Sequence, residues 1–181
     1  MVDGPSPAGS SSADVAARHG VPAALVDAIT GLSDAVRVGQ LDGELPTVEA
    51  EVERPEGAWT LQASLYGHGT VLVVLSILPE AVPEGRRAAV AALVAGLNWR
   101  LVLGNAEMDP TDGTVRFRTG LFLAGDELTE RHADAVVRSN LGTSALLFPA
   151  VQAVAAGGEA AEAALERLSA HVEARGIDLG S

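Results

Sequence analysis

The chain has 181 residues, 48% of them apolar, with no cysteine and a formal net charge of −12, which suits one globular domain with a sizeable core. All twelve basic residues are arginine, so Schiff-base chemistry and a P-loop are excluded for want of an amine, and thiol catalysis and thiolate zinc sites for want of sulfur. The negative charge repels phosphate and disfavours nucleic acid as a partner, and a cysteine-free chain suits the cytoplasm.

Residues 1–12 are rich in Gly, Pro and Ser and read as a disordered tail. They offer neither a basic nor an apolar region of the kind a signal peptide needs. From Ala13 to Val38 the pattern is helical, broken near Gly20, with Pro22 suited to a first turn. The period then changes to two. Val48, Ala50 and Val52 alternate with Glu49, Glu51 and Glu53 over Thr47–Arg54, a half-buried strand with an acidic outer face. After the turn Pro55-Glu56-Gly57, Ala58–Tyr66 sets Trp59, Leu61, Ala63 and Leu65 against Thr60, Gln62 and Ser64. Gly67-His68-Gly69 makes a further turn, and Thr70–Leu78 is apolar on both faces, as a central strand is.

A helix is expected from Glu84 to Leu101, and a second hairpin from Gly104–Asp109 and Thr114–Leu123 around the turn Pro110-Thr111-Asp112-Gly113. Thr129 is placed to cap the next helix at Glu130, where Gly142 and Pro149 predict either a kink or two helices. Gly157-Gly158 closes it, and a last amphipathic helix from Glu159 to Ala174 carries Leu165, Leu168 and Val172 on one side. The order is α-βββ-α-ββ-α plus a C-terminal helix, an α+β chain. Its longest apolar stretch, Ala88–Leu97, is about half of a bilayer crossing.

Few residues suggest chemistry. His19, His68, His132 and His171 lie in no metal-ligand spacing, and His68 between two glycines reads as a turn residue. Asp109 and Asp112 belong to Asp-Pro-Thr-Asp-Gly, where aspartate serves local backbone hydrogen bonds. Ser139, Ser144 and Ser10–Ser12 lie in no nucleophile elbow. The reading is of a protein that is not an enzyme and holds no cofactor and no metal. Residues 14–29 have helix-turn-helix spacing, which gives a DNA-binding regulator as the alternative function. The second helix of that segment, however, presents Ala23, Ala24 and Asp27, with no Arg, Asn or Gln to read a base.

The middle helix is the most informative segment. Val90, Leu93, Val94, Leu97 and Leu101 form one stripe, and Ala88, Ala92, Ala95, Gly96 and Trp99 a second on roughly the opposite side. Either a terminal helix covers the second stripe within the monomer, or these five residues form a dimer or partner interface with Trp99 as anchor. On the sheet, Glu49, Glu51, Glu53, Arg116 and Arg118 are either solvated or, if their strands are neighbours, paired.

Pro83-Glu84-Gly85-Arg86-Arg87, Leu97-Asn98, Gly104-Asn105-Ala106-Glu107-Met108-Asp109, Gly113–Thr119, Leu128-Thr129 and Phe148–Val154 follow one another in an order and spacing that resembles the YbjN domain, a family of bacterial sensory-transduction regulators. The resemblance spans about 130 residues. It implies a fold similar to type III secretion chaperones: a five-stranded antiparallel sheet with helices mainly on one face, often dimeric, binding other proteins without catalytic residues. The organisation expected is a tail (1–12), a YbjN-like domain (13–157) and a C-terminal helix and tail (158–181). The partner implied is another protein or a second copy of the chain, with no membrane.

Overall fold

The computed structural model describes residues 12–33 and 35–174. The tail expected over residues 1–12 lies outside the described residues except for Ser12, which opens the first helix, and so does the segment 175–181. Two short helices, α1 (Ser12–His19) and α2 (Ala23–Thr30), precede four strands, β1 (Val36–Leu41), β2 (Leu45–Arg54), β3 (Gly57–Tyr66) and β4 (Val71–Ile77). Helix α3 (Arg87–Arg100) follows a 3-10 turn at Glu84–Arg86. The hairpin β5 (Asn105–Met108) and β6 (Val115–Phe122) and the helices α4 (Glu130–Ala155) and α5 (Ala161–Ala174) complete the chain.

The strands form one antiparallel sheet in the order β1-β2-β3-β4-β6-β5. It has six strands rather than the five expected. The additional one is β1, whose Val36–Val38 portion fell within the expected helix Ala13–Val38; the helical part ends at Thr30. Gly31 closes α2. Beyond it Val36 and Val38 favour an extended backbone, and Asp42 and Gly43 take the positive φ angles (53° and 81°) that a tight hairpin needs. β1 therefore folds back on β2, Val38 opposite Val48.

The register sorts the side chains. Val38, Val48, Ala50, Leu61, Ala63, Leu72, Val74 and Phe117 are buried on one face, beneath α2, α3 and α4. Trp59 joins this core, its ring edge-on to Phe148 of α4 at 5.4 Å, although its indole N–H finds no partner. The opposite face carries Glu49, Glu51, Thr60, Arg116 and Arg118 around the β4 residues Val73, Leu75 and Ile77.

Of the two alternatives for α4, a kink or two helices, the second is set aside: it is one helix of 26 residues with Pro149 inside it. Thr129 caps it, its Oγ1 accepting the His132 N–H at 3.2 Å. Pro149 removes a backbone donor, which in isolation costs about 3 kcal/mol. The turns around it bury Leu147, Phe148, Ala150, Val151 and Val154, and roughly 2 kcal/mol per large apolar side chain outweighs that loss. The C-terminal helix begins at Ala161, close to the expected start, and packs on α3 and α4 as a further layer.

Candidate protein-interaction surface

Helix α3 lies over β5 with Val90, Leu93 and Leu97 buried. Arg87 fixes its start, donating to the carbonyls of Pro110, Thr111 and Asp112 at 3.2, 3.0 and 2.9 Å and so holding the β5–β6 turn. In that turn Asp109 Oδ1 accepts from the Thr111 N–H at 2.8 Å and Asp112 Oδ1 from the Thr114 N–H at 2.7 Å. Both carboxylates serve the turn, as their sequence context suggests.

The second stripe of α3 is divided by the fold. A Cβ on Gly96 would collide with Leu165 of α5, so Gly96 is a packing point within the monomer. Ala88, Ala92, Ala95 and Trp99 remain at the surface, Trp99 being 89% exposed. Val102 and Leu103, just past the helix, are 68% and 69% exposed. The chain has only six aromatic residues. Trp59, Phe117 and Phe148 fill the core, so the outward Trp99 is a large fraction of a scarce resource left in water. Sequence periodicity could not find Val102 and Leu103, because they follow the helix and share none of its spacing.

The patch borders the edge of the sheet, yet that edge is not free. Asn98 accepts the Ala106 N–H at 2.8 Å and donates Nδ2–H to the Ala106 carbonyl at 3.0 Å. Its amide thus imitates a neighbouring strand and occupies outward backbone groups of β5. Strand addition is thereby blocked at Ala106.

The open sheet face carries a second apolar site and two charge clusters. Tyr66, Val71 and Phe122 form one cross-strand row, with both aromatics exposed. Arg116 and Arg118 do not meet the β2 glutamates, because β3 and β4 lie between. They pair instead with Glu107 at 2.6 and 3.0 Å, while Glu49 and Glu51 pair with Arg37 of β1 at 3.7 and 3.4 Å. Burial works against the Glu107 carboxylate, but hydrogen bonds from Arg116 and Asn105 and the charges of Arg116 and Arg118 hold its pKa below the ordinary value. A lowered carboxyl pKa stabilises the fold fully above the ordinary value and progressively less as pH falls through the lowered one. The wild-type advantage over Glu107→Gln in urea melts is therefore expected to grow between about pH 3 and pH 6, by on the order of 1 kcal/mol after solvent screening. An advantage that does not change with pH would contradict this.

No three His, Asp or Glu side chains among the described residues form a metal-binding group. Ser144 is buried and donates to the Asn140 carbonyl at 2.8 Å, and His68 is an exposed turn residue at φ 56°. Helix α2 buries Leu25, Val26 and Ile29 and leaves Asp27 outward, an acidic surface opposed to phosphate.

The YbjN family, described as "Putative bacterial sensory transduction regulator", matches residues 43–153, more than half of the chain. The chain belongs to the YbjN family. The match runs from the β1–β2 turn to the last turn of α4, so α1, α2, β1 and α5 of this YbjN protein lie outside it. The family description is that of a regulator rather than an enzyme. No curated protein matches the chain. No helix among the described residues is long and apolar enough to cross a membrane.

Proposed function

We propose that this YbjN protein is a non-enzymatic, chaperone-like regulator that acts by binding protein in the cytoplasm, and that it does so as a homodimer formed through α3. The observation carrying this is the exposed Trp99, with Val102 and Leu103 beside it. One tryptophan contributes on the order of 200 Å², whereas a stable interface takes about 800 Å² from each partner. The interface therefore extends along Ala88, Ala92 and Ala95, whose small side chains let a second α3 approach closely.

Gly96→Glu is a poor probe of this surface, because the new side chain strikes Leu165 inside the monomer. Trp99→Glu and Ala92→Arg change only exposed positions. The wild type is expected to sediment as a dimer at tens of micromolar, and either variant to weaken self-association by at least about 30-fold, the loss of one hot spot. A monomeric wild type, or a folded Trp99→Glu protein that still dimerises, would refute the interface.

A further inference from the structure

Between α3, α4 and α5 lies a cleft of about 290 Å³. Leu97 and Leu101 of the α3 end, Leu147 of α4, and Leu165, Leu168 and Val172 of α5 make its walls apolar. Three polar side chains interrupt them: Arg100, Thr143 and Ser169. Arg100 spends one N–H on the Gly96 carbonyl at 2.9 Å and has no carboxylate partner among the described residues. Two other helical hydroxyls, the buried Ser144 and the exposed Thr30, turn back on their own helices. Ser144 donates to the Asn140 carbonyl and Thr30 to the Val26 carbonyl, each at 2.8 Å. Thr143 and Ser169 make no such bond among the described residues, which leaves both hydroxyls available.

From this combination we infer that the cleft binds an aliphatic carboxylate of medium chain length. The leucine walls take the chain, Arg100 pairs with the carboxylate, and Thr143 and Ser169 supply further donors. A cation lining an apolar cleft without a carboxylate partner among the described residues, in a chain of net charge −12, selects an anionic head over a cationic or neutral one. The volume holds roughly ten water-sized groups, which sets the chain at about eight to ten carbons. The cleft shares no lining residue with the Trp99 surface.

Gly142 supplies a plug for the test. It lines the cleft, and a Cβ added there meets nothing within 4 Å. In calorimetric titrations of the full chain, decanoate is expected to bind one to one. Octanoate and hexanoate should each bind about tenfold more weakly than the acid two carbons longer. Decanol, and decanoate with Arg100→Gln, should bind at least about tenfold more weakly than decanoate with the wild type. Gly142→Phe should abolish binding with its helical circular dichroism intact; if that variant fails to fold, Ser169→Leu closes the same cleft from α5. The proposal is overturned if decanoate does not bind, or if its affinity ignores chain length, Arg100→Gln or a folded plug variant. Loss of self-association in a folded plug variant that leaves decanoate affinity unchanged overturns it too, and assigns the cleft to a second copy of the chain.

Discussion

Asn140→Ala is expected to destabilise the fold by about 3 kcal/mol, among the largest losses available from a single side chain here. Asn140 and Ser76 are fully buried where α4 crosses the centre of the sheet. The Ser76 hydroxyl donates to Asn140 Oδ1 at 2.6 Å. Asn140 Nδ2 in turn reaches the carbonyls of Val74 and Phe117 at 3.0 and 3.2 Å and Thr119 Oγ1 at 3.2 Å. The Leu78 N–H donates to Val115 and the Leu123 N–H to Thr70, which fixes the alternation of the β4–β6 ladder. In that alternation Val74 pairs with Thr119 and Ser76 with Phe117, so the two carbonyls already serve a strand partner. Asn140 uses their second lone pairs. Alanine leaves those carbonyls bonded but strands the Ser76 hydroxyl and opens a cavity. Combining Asn140→Leu with Ser76→Ala removes both polar partners and should recover most of the loss, because an unmade buried hydrogen bond costs more than an absent one. Urea melts of Asn140→Leu, Ser76→Ala and the pair form the cycle. Additive losses would show that the network does not couple α4 to the sheet.

This network also marks where the sequence stops being legible. One asparagine near Gly142 reads as a surface residue or a break, and nothing in its neighbourhood names Ser76, more than sixty residues away. Strands whose sides differ in polarity were readable: Val48, Ala50 and Val52 point inward and Glu49 and Glu51 outward, as their alternation says. β1 was not, because Val36-Arg37-Val38-Gly39 is too short to separate a strand from a helix end. Local rules leave open whether Pro149 divides α4, and burial along its 26 residues keeps it one helix. At the candidate surface, helical spacing identified the α3 stripe but not its division. Only the docking of α5 takes Gly96 inward through Leu165 while leaving Trp99 in water.

The geometry that presents the Trp99 patch depends on Gly104, and Gly104→Ala is expected to cost about 2–4 kcal/mol. Gly104 has φ 77°, a conformation in which any L side chain is strained. A Cβ there would also lie 2.6 Å from the Arg118 carbonyl oxygen and 2.6 Å from the tip of the Phe117 ring. The carbonyl belongs to the β5–β6 ladder, and the Phe117 ring is packed in the core, so neither can withdraw cheaply. Gly43 separates the two causes. Its φ is 81°, but an added Cβ meets nothing within 4 Å, so Gly43→Ala should show the backbone strain alone, about 1–2 kcal/mol. The excess loss in Gly104→Ala measures the close approach of the α3–β5 connection to β6. Val102 and Leu103 lie in that connection, just before Gly104. The folded fraction of Gly104→Ala should accordingly self-associate more weakly than wild type, while Gly43→Ala, at the far hairpin, should dimerise normally. Equal destabilisation in thermal melts of the two variants would show that β6 yields to the new methyl group, and would remove Gly104 as the element that fixes the patch.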